Sequence, residues 1–257
     1  MTNLFDSHAH LDDEAFDDDR DEIIENCSAR LKGVINPGSD MDSSKKAVKL
    51  SEENAVIYSA VGFHPHEARL MQPKDEEVLA ELAKNKKVVA IGEIGLDYYY
   101  DYSPRDVQKT VFIRHLDLAR QLSLPVIIHD RDAHGDILEI IKNEGQGIRG
   151  VFHCYSGSWE MAKVILKMGW YISFGGSLTF KNAVKTVEVA KNIPDDMMLL
   201  ETDSPYLTPV PYRGKRNNPC MVEHVCTKMA ELKDMEFEQV ADITTKNVMA
   251  LFNRICI

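Results

Sequence analysis

The sequence predicts a single-domain (β/α)8 barrel, and three observations carry that expectation. Eight short apolar or β-branched runs alternate with amphipathic stretches at intervals of about 20–35 residues, the pattern of repeated β-α units. The 257 residues suit one barrel, and no Pro/Gly/Ser-rich linker or composition shift divides them into domains. Five of the runs end in a residue type that binds metal, and such endings converge only if the sheet closes.

In chain order, strands are expected over Leu4–Ser7, Gly33–Asn36, Val56–Gly62, Val88–Gly92, Pro125–Ile128, Gly150–Phe152, Trp170–Phe174 and Met198–Glu201. The clearest helix lies between the fourth and fifth. Ser103 is expected to cap it and Pro104 to take its first position, with Val111, Phe112, His115, Leu116, Ala119 and Leu122 recurring at helical spacing. Leu124-Pro125 ends it. Asn218-Pro219 opens another helix in the same way, and a helical run around Val240–Leu251 closes the chain. Trp159 and Trp170 read as packing between helices and barrel.

Charge narrows the function classes. Lys plus Arg number 30 against 41 Asp plus Glu, a formal net charge of −11. That excludes nucleic-acid binding through a broad basic surface. It leaves open a polyanion met through bound cations. Much of the excess lies in residues 12–22 (DDEAFDDDRDE), which read as a solvated loop running into a helix N-terminus. The five cysteines include no CxxC pair and suit buried thiols. With no signal-peptide pattern and no apolar run long enough to span a membrane, a cytoplasmic protein is expected.

The strand endings carry the chemistry. Asp6-Ser7-His8-Ala9-His10 places two imidazoles two residues apart, on one face if the chain is extended. Later runs end at Glu93, His129, His153 and Thr202-Asp203. Singly, each has an ordinary explanation: a hydrogen-bonded rim histidine, a turn cap, an Asx turn. Together on one barrel rim they read as a shared metal centre. Four His and two carboxylates suit Zn²⁺, Mn²⁺ or a related ion better than Mg²⁺ alone. Six ligands exceed one tetrahedral site, so two divalent ions bridged by a carboxylate are expected.

Six motifs in register, DSHAH (6–10), GFHPH (62–66), AIGEIGLD (90–97), PVIIHDRDA (125–133), HCYSG (153–157) and ETDSPY (201–206), closely resemble the TatD-type metal-dependent deoxyribonucleases. The resemblance runs from residue 6 to the closing Asn247–Phe252. It implies a TIM-barrel hydrolase that cleaves DNA phosphodiesters with divalent metals. By position, His8, His10 and Asp203 look like ligands of one metal, His129 and His153 like ligands of the other, and Glu93 like the bridge. Asp203 is also placed to act as general base.

His64 is a candidate for a phosphate or leaving-group contact, while Pro65 and His66 are read as shaping the turn. Arg213, in the basic stretch PYRGKRN after the last strand, and Arg131 after the fifth are candidates for phosphate binding through the guanidinium fork. Tyr98–Tyr102 either stacks on bases or packs over the following helix. The expected activity is a 3′–5′ exonuclease on single-stranded DNA ends, acting as a monomer and without a membrane partner. The alternative is a metal-dependent ester or amide hydrolase, such as one acting on an aminoacyl-tRNA ester. Related amidohydrolase barrels commonly use a carbamylated Lys as the bridge, and Glu93 stands at that position here.

Overall fold

The computed structural model describes residues 3–256. Its strands and helices alternate in the order β1 (Phe5–Asp6), α1 (Arg20–Arg30), β2 (Gly33–Pro37), α2 (Met41–Glu53), β3 (Ile57–Val61), α3 (Asp75–Leu82), β4 (Val88–Asp97) and α4 (Arg105–Leu122). The second half repeats the scheme with β5 (Val126–Arg131), α5 (His134–Glu144), β6 (Gly150–Phe152), α6 (Trp159–Lys167), β7 (Tyr171–Phe174), α7 (Val184–Asn192), β8 (Met198–Leu200) and α8 (Val222–Lys233). A ninth helix, α9 (Phe237–Leu251), follows. All eight strands pair in parallel with their sequence neighbours. Between β8 and β1 the ring is drawn together by Ser7 N–H donating to Leu200 O at 3.0 Å, Asp203 N–H donating to His8 O at 2.9 Å and a parallel bridge between Ala9 and Ser204. The expected barrel is the observed one.

Side-chain alternation explains how so apolar a sheet is covered on both faces. Phe5, Ile35, Tyr58, Val89, Ile127, Val151, Tyr171 and Leu199 form one cluster inside the barrel. Their strand neighbours Leu4, Val34, Ile57, Val88, Val126, Phe152, Ile172 and Leu200 belong to a second, between barrel and helices. The interior cluster also includes Val248, Leu251, Phe252 and Ile255, so the end of α9 plugs the barrel at the end where its strands begin. Asn247 fixes that plug by donating to Asp195 O and Met198 O.

β4 and β5 run several residues past their expected ends, and β2 runs one residue past its own. Ile94–Asp97 pair with Ile128–Arg131, so β4 and β5 continue together beyond the barrel proper. Their register shifts between Ile91 and Ile94, where Glu93 turns toward the interior. Gly95 is required in this ribbon: its φ is +140°, and a Cβ there would stand 2.0 Å from His129 O.

The start of α4 is a correction. The helix begins at Arg105, and Pro104 occupies the cap position instead of the first turn. Ser103 does not cap it. Its hydroxyl donates to His66 O at 2.8 Å and accepts Arg69 N–H, joining the loop after β3 to the start of α4. Asn218 does cap, accepting Cys220 N–H at the head of a short 3-10 turn that leads into α8. Trp170 is buried against Phe152, and Trp159 packs on the outer cluster, as expected. No helix among the described residues is long and apolar enough to cross a membrane.

Candidate metal centre

Strand alternation aims the site residues. Ile127, Val151 and Leu199 point inward, so two positions further along each strand His129, His153 and Glu201 do as well. His8 and His10 enter from the segment after β1, Glu93 from the β4 irregularity, and Asp203 from the turn after β8. Asp203 sits at φ +56°, in the left-handed region that Asp tolerates better than most residues.

The side-chain atoms form two adjoining groups. In the first, His8 Nε2 lies 3.2 Å from His10 Nε2 and 3.3 Å from Glu93 Oε2. His10 Nε2 lies 3.6 Å from Glu93 Oε2 and from Asp203 Oδ1. In the second, Glu93 Oε1 stands 2.8 Å from both His129 Nδ1 and His153 Nε2, which are 3.3 Å apart. Ligands held about 2.0–2.2 Å from a tetrahedral ion stand about 3.3–3.6 Å apart. The first group matches that spacing, as do the two imidazoles of the second, whereas Glu93 Oε1 stands at hydrogen-bond distance from both of those imidazoles. Each of Glu93's oxygens faces a different group, which is the disposition a bridging ligand needs.

Burial opposes the charge on Glu93, yet the imidazoles of His153, His64 and His8 hold its carboxyl well below the usual range. Burial likewise disfavours a charged His10, but Asp203 and Glu93 raise it to about 9. Metal loading must therefore compete with a proton at His10.

Three residues that the sequence reading left out of the site belong to it. Glu201 Oε1 lies 3.4 Å from His153 Nδ1 and accepts Cys154 N–H at 2.5 Å. Asp97 is fully buried, and its Oδ2 accepts from His129 Nε2 at 3.0 Å and His66 Nε2 at 2.9 Å. That contact puts the His129 proton on Nε2 and leaves Nδ1 free to bind an ion. Burial opposes ionisation of Asp97, but hydrogen bonds from His129, His66 and Tyr100 N–H hold it ionised. His66, read as a turn residue, is therefore part of the ligand-supporting network. Period-two alternation from Leu199 could have pointed to Glu201; nothing local marks Asp97.

His64 Nδ1 accepts His66 N–H at 3.2 Å, so the neutral ring carries its proton on Nε2, 3.6 Å from Glu93 Oε1. Burial and neighbouring His129 push its pKa well below the ordinary value, keeping it neutral. His10, His64, Glu93, His129, His153 and Asp203 open onto a cavity of about 550 Å³ that Arg131, Tyr100 and Tyr102 also line, while His8 and Glu201 lie buried behind it. Arg213 lies outside that lining. Its guanidinium sits 4.0 Å over Phe180 and donates to Thr208 O, because the 209–216 loop folds back on itself.

A family model described as TatD related DNase matches residues 5–253. The chain belongs to this TatD-related family. An uncharacterized metal-dependent hydrolase of Bacillus subtilis, YabD, is 48% identical over 251 residues, covering 97% of this chain and 98% of the relative. A second, YcfH of Escherichia coli, is 40% identical over 255 residues, covering 97% and 96%. A solved TatD homolog from Escherichia coli, YJJV, superimposes with a TM-score of 0.91 at 29% identity, covering 98% of each chain. The TatD-family barrel described here is a metal-dependent hydrolase, and its clustered His, Glu and Asp side chains are the candidate ligands.

Proposed function

We propose that this TatD-family protein is a deoxyribonuclease that removes nucleotides from single-stranded DNA ends in the 3′–5′ direction, as a monomer, with two divalent ions. The observation that carries the reading is Glu93, whose two oxygens each meet a separate histidine group. His8, His10 and Asp203 would hold one ion and His129 and His153 the other. Such ions supply charge neutralisation for a phosphodiester and lower the pKa of a coordinated water toward about 7. Zn²⁺ or Mn²⁺ suits this nitrogen-rich set better than Mg²⁺.

The chain's own groups divide the remaining work. Asp203, partly exposed at the cavity, accepts the proton lost by the attacking water. His64 presents Nε2–H as a neutral donor toward the developing charge on the phosphoryl or leaving oxygen. Arg131 offers its guanidinium to a neighbouring phosphate. The rim holds Asp12, Asp13 and Glu67 beside that one arginine, which favours a strand end over a duplex. Five unpaired cysteines suit the reducing cytoplasm.

The test follows 3′- and 5′-labelled single-stranded oligonucleotides with added Zn²⁺, Mn²⁺ or Mg²⁺. Stepwise shortening from the 3′ end is expected, falling at least about 100-fold in Glu93→Ala. No cleavage by the native protein, or equal cleavage by the variant, would overturn the reading. Hydrolysis of aminoacyl esters in its place would favour the ester-hydrolase alternative.

A further inference from the structure

We infer that Tyr99, Tyr100 and Tyr102, together with Arg131, form a nucleotide subsite on the cavity rim, where bases of a single strand stack while Arg131 holds an adjacent phosphate. The inference rests on the phosphodiesterase reading and identifies what selects the strand. Three tyrosines within four positions are 59%, 44% and 54% exposed. A loop that merely packs over a helix buries its rings, as Tyr98 does by lying under Arg105 and donating to Asp136 at 2.6 Å. The other three rings stay largely exposed, with Tyr100 and Tyr102 lining the cavity and meeting His66 edge-on at 5.2 and 4.9 Å. Tyr100 and Tyr102 stack on each other at 5.1 Å and 21°, and Tyr99 meets Tyr100 edge-on at 4.9 Å.

The platform is fixed from below. Asp97 Oδ1 accepts the N–H groups of Tyr99 and Tyr100 at 3.0 and 2.9 Å, while Arg69 donates to Tyr102 O. Gln108 takes up the carbonyls of Asp97 and Ser103. Exposed rings on a braced turn lose little entropy when they bind.

Arg131 is set apart from the other arginines. Its guanidinium lies 4.0 Å over the Tyr99 ring and 4.8 Å over Tyr100. Among the described residues, every other arginine side chain donates to a carboxylate, carbonyl or hydroxyl, whereas Arg131 makes no such contact. Its donors remain available beside an aromatic face. A single-stranded nucleotide presents the matching pair, a planar base and an anionic phosphate. Stacking of this kind accepts any base. It also disfavours a duplex, whose bases are already stacked on each other.

The test compares binding of two fluorescein-labelled, phosphorothioate-linked octamers of equal charge, one of deoxyadenylates and one of abasic tetrahydrofuran residues, to the metal-loaded protein. The native protein is expected to bind the adenylate strand about 10-fold or more tightly than the abasic one. Tyr100→Leu combined with Tyr102→Leu should erase most of that ratio. Arg131→Met should weaken binding of both strands, and it serves as the second variant if the double substitution fails to fold. Equal binding of both strands by native protein, or an undiminished ratio in the double variant, would overturn the inference. Failure of the phosphodiesterase reading shows separately, as absence of cleavage of ordinary oligonucleotides, because binding is measured here without turnover.

Discussion

Asp97 links two functions through one carboxylate. One oxygen orients His129 and His66, and the other anchors the turn that carries the exposed tyrosines. The candidate ligand cluster and the rim turn therefore share a support. Asp97→Asn keeps the shape but offers a poorer acceptor to two imidazoles. It should lower metal affinity about 10–100-fold, since outer partners of ligating histidines act on that scale. Competition against a chelating dye would measure this, with the melting temperature as a control for folding. An unchanged affinity would show that His129 holds its orientation without Asp97.

His115 on α4 shows how an element is tied to the site without touching it. Its Nε2 accepts Phe63 N–H at 3.1 Å and its Nδ1–H donates to Val111 O at 2.7 Å, so α4 grips the loop presenting His64. Burial lowers this pKa from 6.5 to about 4. The unfolded chain binds the proton more readily, so His115 adds stability above pH 6.5 that is progressively lost as pH falls toward 4. The contribution is roughly 3 kcal/mol. In His115→Gln, unfolding free energy should change less between pH 6.5 and 4 than in the native protein, as measured by urea melts across that range. The helix itself was legible from its apolar spacing, but its N-terminus was not. Ser103 looks like a cap in sequence, yet its hydroxyl is taken by His66 O and Arg69 N–H, partners more than thirty positions away.

For the whole molecule, the acidic balance bears on the proposed deoxyribonuclease reading. Asp12 and Asp13 stand at the cavity rim, while Asp17 and Asp19 pair with Arg20 and Arg216. Little basic surface remains around the mouth, and Arg131 is the one arginine lining it. DNA binding by the metal-loaded protein should therefore respond weakly to salt. The slope of log K against log salt should be about −1 to −2, corresponding to one to three phosphates at about −0.7 each for a single strand. Anisotropy titrations between 50 and 300 mM salt check this, and a slope beyond about −4 would require a basic track elsewhere. Removing the ions should abolish most of the binding.

The sequence by itself determined the barrel, because a β-α repeat is local and each apolar run declares its strand through its own composition. It also marked the six ligand candidates, since His, Glu and Asp at strand ends stand out against apolar neighbours. Tertiary structure decided what supports them. Glu201 reaches His153 from another strand, Asp97 meets histidines 31 and 32 positions away, and Arg213 turns aside onto Phe180. A strand's composition records which face it buries. Only closure of the ring and the extra length of β4 and β5 determine which side chains meet across it.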